Sequence, residues 1–283
     1  MSAVTRPLVQ DDLDGGPPWL SEIVLRADRW RDEHTRSLIV VDGETPVAAG
    51  LIWTSRVHGD RYWTSVVVDP ARRRQGIGRR LVTELARLRP RLLPLMGRGF
   101  AGSPEIAFAD ALGARTIQVV LPMGVDVDRR DKLREATSET TAGSAVGLDA
   151  LGAAWASAYE WTHADWSPVA AGFAEPLLEG LADEVDLEAT SVALDGGGSV
   201  LALCVAFVDG EVPVLCGETA LRTTPNGERL VESCLRRTLD VLAGRGVTTV
   251  EMDGHVSDPH WLPAWIRLEP TGRWFRLVEI VDS

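Results

Sequence analysis

Along the first 120 residues, short apolar runs alternate with stretches of helical spacing. Ser37 to Asp42 and Pro46 to Trp53 are apolar runs separated by Gly43-Glu44, a pattern that predicts a β-hairpin. Arg61 to Val68, rich in Val, Thr, Tyr and Trp, predicts a third strand. From Gly76 to Leu88 the period changes. Ile77, Leu81, Leu85 and Leu88 line one face of a helix, and Pro90 stops it. Leu92 to Met96 reads as a strand, Pro104 to Leu112 as a short helix closed by Gly113, and Thr116 to Leu121 as another strand.

The second half repeats this order. Thr190 to Gly196 mirrors Ser37 to Gly43, with Asp195 standing 153 residues after Asp42 and Val200 at the same offset from Val47. A strand over Val212 to Leu221 and a helix over Gly227 to Ala243 follow. Arg229-Leu230-Val231 then matches Arg80-Leu81-Val82 at an offset of 149, so the loop before the second helix is shorter. Val247 to Met252 and Phe275 to Val281 complete the repeat as strands. An internal duplication of about 140 residues follows from the pattern. It divides the chain into a domain over 1–124, a polar linker over 125–147 and a second domain over 148–283.

The 283 residues are 45% hydrophobic and 25% charged, enough apolar content for two cores of ordinary size. The net charge of −12 argues against non-specific nucleic-acid binding and suits a cationic small molecule. The longest apolar run, Val200 to Val208, fits a buried strand and is too short to cross a membrane. No signal peptide is evident in the first twenty residues. The three cysteines, Cys204, Cys216 and Cys234, lie in apolar patterns without a C-x-x-C pair, as expected of reduced thiols in a cytoplasmic protein. His34, His58, His163, His255 and His260 do not form a metal signature.

The most specific chemistry lies in Val66-Val67-Val68-Asp69-Pro70-Ala71-Arg72-Arg73-Arg74-Gln75-Gly76-Ile77-Gly78-Arg79. A β-branched strand ends in Asp-Pro, and an arginine-rich loop leads into an amphipathic helix. Gln75, Gly76, Ile77, Gly78 and Arg79 offer the N–H groups of a helix start, the two glycines remove Cβ atoms, and Arg73 and Arg74 add positive charge. A pyrophosphate fits there. Without an anion, three arginines at a helix N-terminus oppose the macrodipole. The bland alternative is a surface helix with a basic first turn.

The spacing Arg73-x-x-Gly76-x-Gly78, with the short helix ending Leu112-Gly113-Ala114 beyond it, resembles the acyl-CoA signature of the GNAT superfamily of N-acetyltransferases. The resemblance implies an α/β (α+β) fold of two tandem GNAT-like domains, each a mixed, mostly antiparallel sheet flanked by helices. It implies that Val66, Val67 and Val68 present a strand edge to the pantetheine arm and that a backbone N–H of Val67 or Val68 polarises the thioester. The matching loop of the second half, Leu221 to Arg229, has one glycine and an acidic Glu228, so that copy is expected to be degenerate.

The expected co-substrate is acetyl-CoA or another short acyl-CoA, with no metal. The acyl group passes directly to a small-molecule amine in a ternary complex, without nucleic acid or membrane. Residues Ser103 to Ala114 lack the tyrosine that this family often uses as acid. Candidate catalytic residues are therefore Tyr62, on the strand itself, and Glu218, an acid interrupting an apolar strand. Tyr62 could equally be a packed aromatic, and Asp60 and His58 a solvated turn. Tyr159 to Trp166 interleaves aromatic and titratable residues, as a pocket wall or a helix end would. A non-catalytic CoA-binding module and an acyltransferase acting on a protein amine remain open.

Overall fold

The computed structural model describes residues 3–137, 140–208 and 210–280. Its strands are β1 (Val4–Pro7), β2 (Arg36–Asp42), β3 (Thr45–Thr54), β4 (Tyr62–Val68), β5 (Leu95–Phe100), β6 (Arg115–Val120), β7 (Gly124–Asp126), β8 (Thr140–Ala142), β9 (Ser191–Leu194), β10 (Val200–Phe207), β11 (Val214–Thr219), β12 (Thr249–Asp253) and β13 (Phe275–Ile280). Its α-helices are α1 (Gln10–Asp14), α2 (Ile77–Arg87), α3 (Pro104–Ala111), α4 (Gly147–His163), α5 (Ala174–Leu178), α6 (Leu181–Glu184), α7 (Gly227–Gly244) and α8 (Trp261–Arg267).

Two sheets form. The first runs β1-β2-β3-β4-β5-β13-β6 and the second β7-β12-β11-β10-β9-β8. Both hairpins follow from the apolar runs: β2 and β3 pair antiparallel around Gly43, whose φ of 66° only a residue without a Cβ adopts freely. The chain divides into two compact units, Met1–Thr116 with Leu277–Ser283, and Ile117–Arg276.

In the first unit, α2 buries Ile77, Leu81, Val82 and Leu85 against Leu38, Val40, Ile52 and Tyr62. The other face of the sheet is covered by Leu8, Leu20 and Leu25, which pack on Ile39, Leu51 and Val67. Each fully buried leucine contributes roughly 1.5–3 kcal/mol. In the second unit, α4 sets Leu151 and Trp155 on Val192, Leu203 and Val205. Helix α7 packs on β9, β10 and β11.

Four sequence expectations need correction. The segment 125–147 does not behave as a free linker, because β7 and β8 within it form the two edges of the second sheet. The expected division into 1–124 and 148–283 differs from the compact units in the same way. The last strand, read as the end of the second repeat, lies inside the first sheet between β5 and β6. Its predicted final residue, Val281, is outside the described residues. Strand β5 begins at Leu95 rather than Leu92, which is 92% exposed. His255 and His260 lie in a turn-rich loop, as expected, and α8 begins just after them at Trp261.

Candidate active site

The site begins where two strands part. β4 and β5 pair in parallel only at Tyr62–Leu95 and Trp63–Met96. Beyond these pairs, residues 64–68 of β4 have no partner on the β5 side, while they stay paired to β3 as far as Val68. The Tyr62 N–H donates to Pro94 O at 2.9 Å on the β5 side, and the Asp69 N–H donates to Val47 O at 3.0 Å on the β3 side. Backbone groups alternate along a strand. Val66 and Val68 therefore turn their N–H and C=O groups into the opening. Val67 turns its own toward β3 and its side chain into the opposite core, 5% exposed. Of the expected trio, Val67 is thus not an edge donor.

The opening leads to the start of α2. The Asp69 carboxylate caps a short 3-10 turn, accepting from the Ala71 N–H at 2.9 Å. Arg74 and Gly76 then adopt positive φ values of 66° and 78°, which swing the chain into the helix. The first helical bond is donated by the Arg80 N–H to Gly76 O, at 3.1 Å. The N–H groups of Gly76, Ile77, Gly78 and Arg79 have no helical acceptor and converge at the helix end. Gly76 leaves space there, with nothing within 4 Å of where a Cβ would stand. Gly78 serves packing instead: a Cβ there would lie 3.2 Å from the Phe108 ring of α3.

The arginines divide by role. Arg72 pairs with Asp42 at 3.1 Å. Arg73 donates to Val68 O at 3.0 Å and pairs with Glu22 at 2.9 Å. Arg79 donates to Ala111 O at 2.5 Å. Gln75 is exposed, and its Oε1 accepts from Arg72 at 3.5 Å. Ile77 is buried in the core under α2. Arg74 is exposed and has no hydrogen bond or ion pair among the described residues. The buried Thr64 Oγ1, where the strands part, also lacks a hydrogen-bond partner. A strand edge without a neighbouring strand beyond Trp63, occupied only at Val68 O by Arg73, an orphaned hydroxyl, converging N–H groups and the Arg74 guanidinium fit a pantetheine arm followed by a pyrophosphate.

A cavity of about 470 Å³ opens on the other face of the first sheet. Trp63, Thr64 and Ser65 of β4 line it, together with Trp53, Trp30 and Arg98. The Trp53 and Trp63 rings stack 6.2 Å apart, and the Arg98 guanidinium lies 5.1 Å from the Trp63 ring centroid. No local sequence pattern marks this cavity, because its walls come from four separate segments.

Tyr62 is not in it. The ring is fully buried in the core under α2, and its hydroxyl bonds His34 Nδ1 at 2.8 Å. Burial raises its pKa. Asp60 is tied to Arg61, and His58 is buried.

The second unit repeats the parting of strands and then fills it. β11 and β12 pair at Val214–Glu251, Leu215–Met252 and Cys216–Asp253. Just beyond, the fully buried Trp261 indole of α8 sits against Gly217 and Gly254 and donates Nε1–H to Asp253 O at 2.9 Å. A Cβ on Gly254 would lie 2.6 Å from the ring. His260 covers the start of α7: its ring would stand 2.8 Å from a Cβ on Gly227, and its Nδ1 meets Thr219 Oγ1 at 2.8 Å.

Glu218 points away from that indole, on the strand face shared with Cys216, and is 7% exposed. Its Oε2 has no hydrogen-bond partner, and burial, with Asp258 and Asp253 nearby, pushes its pKa well up. Burial thus disfavours its charged form, the form that an ammonium would seek. Nearby, the Tyr159 ring stacks on His163 with centroids 3.8 Å apart, His163 Nδ1–H donates to Tyr159 O at 2.8 Å, and His163 Nε2 meets His255 Nε2 at 3.3 Å. Among the described residues no group of three or more His, Cys, Asp or Glu could hold a metal ion, and no helix is long and apolar enough to cross a membrane. Burial raises all three cysteine thiols, Cys204 to about 12, so none is a ready nucleophile.

Comparison with known proteins agrees with this geometry. Residues 7–90 match the sequence model of the acetyltransferase (GNAT) family. A GCN5-related N-acetyltransferase from Sphaerobacter thermophilus superposes with a TM-score of 0.64 at 17% identity, covering 99% of this chain and 96% of that one. A tandem GNAT protein from the clavulanic acid biosynthesis pathway superposes at 0.60 with 18% identity over 100% of both chains. No curated protein sequence matches. Residues 7–90 thus carry the sequence signature of a GNAT acetyltransferase domain. Over its whole length the chain has the fold of that tandem GNAT protein, with the sequence signature in its first half.

Proposed function

We propose that the first unit binds acetyl-CoA, or another short acyl-CoA, and transfers the acyl group directly to a small-molecule amine. The observation that carries this reading is the parting of β4 from β5 after Trp63 and Met96, beside the open N-terminus of α2. Acyl-CoA supplies an activated thioester. Val66 and Val68 would pair with the pantetheine amides as an added strand, with the Thr64 hydroxyl beside them. The N–H groups of Gly76 to Arg79 and the Arg74 side chain would receive the pyrophosphate. The amine nitrogen forms the new C–N bond as the C–S bond breaks, and the ammonium proton ends on the thiol or in water.

The second unit takes no CoA in this reading, because Trp261 and His260 stand where the arm and the pyrophosphate would lie. Tyr62 and Glu218 are not assigned the acid and base, since one is sealed in the core of the first unit and the other is buried in the second. The lack of a carboxylate on the cavity wall favours the second reading, a CoA-binding module without turnover. Release of free CoA thiol in the presence of an amine panel separates the two. Amine-dependent release supports the transferase. Tight acetyl-CoA binding with no release across the panel supports the module.

A further inference from the structure

The cavity beneath β4 has a charge opposite to that of the chain. The protein carries a net charge of −12, yet Arg26, Arg31 and Arg98 line the cavity and no Asp or Glu does. Arg31 is already engaged, donating to Thr54 O at 2.5 Å and pairing with Asp32 at 3.0 Å. Arg26 and Arg98 have no carboxylate partner among the described residues. Each is held instead against an indole: the Arg26 guanidinium lies 5.2 Å from the Trp30 ring centroid and that of Arg98 5.1 Å from Trp63. Stacking on a ring fixes the plane of a guanidinium and leaves its edge N–H groups free, which suits bidentate recognition of an oxyanion. Between these two arms the wall is apolar and flat, with Trp53 stacked on Trp63 and with Trp30 59% exposed.

We infer that this cavity takes an amine that also carries a carboxylate or phosphate on a flat apolar body, with its anionic group held between Arg26 and Arg98. This rests on the transferase reading only for the fate of the amine; the binding itself does not. Trp63, Thr64 and Ser65 line the cavity, and Val66 is the next residue of the strand. At ~3.3 Å per residue, an amine at the Ser65 end of the cavity lies within ~10 Å of the edge at Val66 and Val68. The charge argument reverses the expectation drawn from net charge. Polyamines and other wholly cationic molecules are disfavoured here, because the charged groups on the wall are arginines and the Asp32 carboxylate beside them is already paired with Arg31. The same charges favour the free amine over the ammonium, which provides part of what a general base would. No carboxylate on the wall is needed for that effect.

The test is calorimetric titration of the full chain with four probes of graded charge: phenylalanine, 3-phenylpropanoate, 2-phenylethylamine and spermidine. Acetyl-CoA is titrated in parallel. The two carboxylates should bind at least about tenfold more tightly than the two wholly cationic probes. Arg98→Met and Arg26→Met should each weaken the carboxylates by about tenfold or more while leaving the acetyl-CoA titration and thermal midpoint unchanged. Arg98→Glu should turn the preference toward 2-phenylethylamine. Equal or tighter binding of the cationic probes overturns the inference, as does insensitivity of carboxylate binding to both arginine variants. Absence of carboxylate binding also overturns it. Binding of the carboxylates without acetyl-CoA binding would leave this inference standing and remove the transferase reading. The reverse result would do the opposite.

Discussion

Trp261 and Gly217 occupy one volume between them: the buried indole fills the space that any side chain at position 217 would need. The same ring closes on Gly254 from the adjoining strand, so a single side chain spans the gap between β11 and β12. In the first unit the corresponding gap holds no such ring. A Cβ on Gly97 would meet only Val278, at 3.8 Å.

This plug is structural. Gly217→Ala should destabilise the second unit by overpacking, by about 1–3 kcal/mol. Trp261→Ala should cost about 3–5 kcal/mol through the cavity it leaves. Denaturant unfolding of each variant checks both, and a Gly217→Ala protein as stable as wild type would contradict the packing argument.

Glu218 gives a pH signature with a definite sign. Its folded pKa is raised, chiefly by burial, above the ordinary carboxylate value of 4.5. The folded state then holds a proton that the unfolded state has released, so the stability linked to this group is present below 4.5 and is lost as pH rises toward the folded pKa. Glu218→Gln should therefore gain stability relative to wild type as pH rises above 4.5, the difference growing until the folded pKa is passed. Parallel stability curves for the two proteins would contradict this.

The helix start and its strand were legible in the sequence because their signals are local. Alternation marks β4, positive-φ and small residues mark the loop, and the spacing of Ile77, Leu81 and Leu85 marks α2. The repeat was legible for the same reason. What the sequence hid is non-local. Nothing in Phe275–Ile280 says which sheet it joins, and nothing in His260-Trp261 says that it fills a gap between strands 214–219 and 249–253. The cavity was hidden because Trp30, Trp53, Trp63 and Arg98 are far apart in the chain. Tyr62 misled because alternation places it beside Val66 but does not show how deeply it is buried.

The last strand is held in the first sheet by an ion-pair cluster. Glu279, 5% exposed, accepts from Arg61 Nε at 3.0 Å and from Arg115 at 2.9 and 2.6 Å. Glu279→Ala removes the partner of Arg115 and one of the two partners of Arg61, which keeps Asp60, and should destabilise the first unit by about 1–3 kcal/mol. A chain ending at Trp274 loses an interior strand and should lose acetyl-CoA binding with it. Unfolding curves and far-ultraviolet circular dichroism read both. Full stability of Glu279→Ala would show that the cluster contributes little.

Among the loop arginines, Arg74→Ala should weaken acetyl-CoA binding by about tenfold without altering stability, since Arg74 has no hydrogen bond or ion pair among the described residues. Arg72→Ala should lower stability through its lost pairing with Asp42, by no more than about 1 kcal/mol. Equal effects of both variants on binding would contradict the division of roles.

The central claim is that one chain holds one acyl-CoA, in its first unit. Titration calorimetry of acetyl-CoA against wild type, Gly76→Glu and the exposed second-loop variant Pro225→Glu tests it most directly. One site per chain is expected, abolished by Gly76→Glu and untouched by Pro225→Glu. Two sites, or a single site lost only with Pro225→Glu, would contradict it.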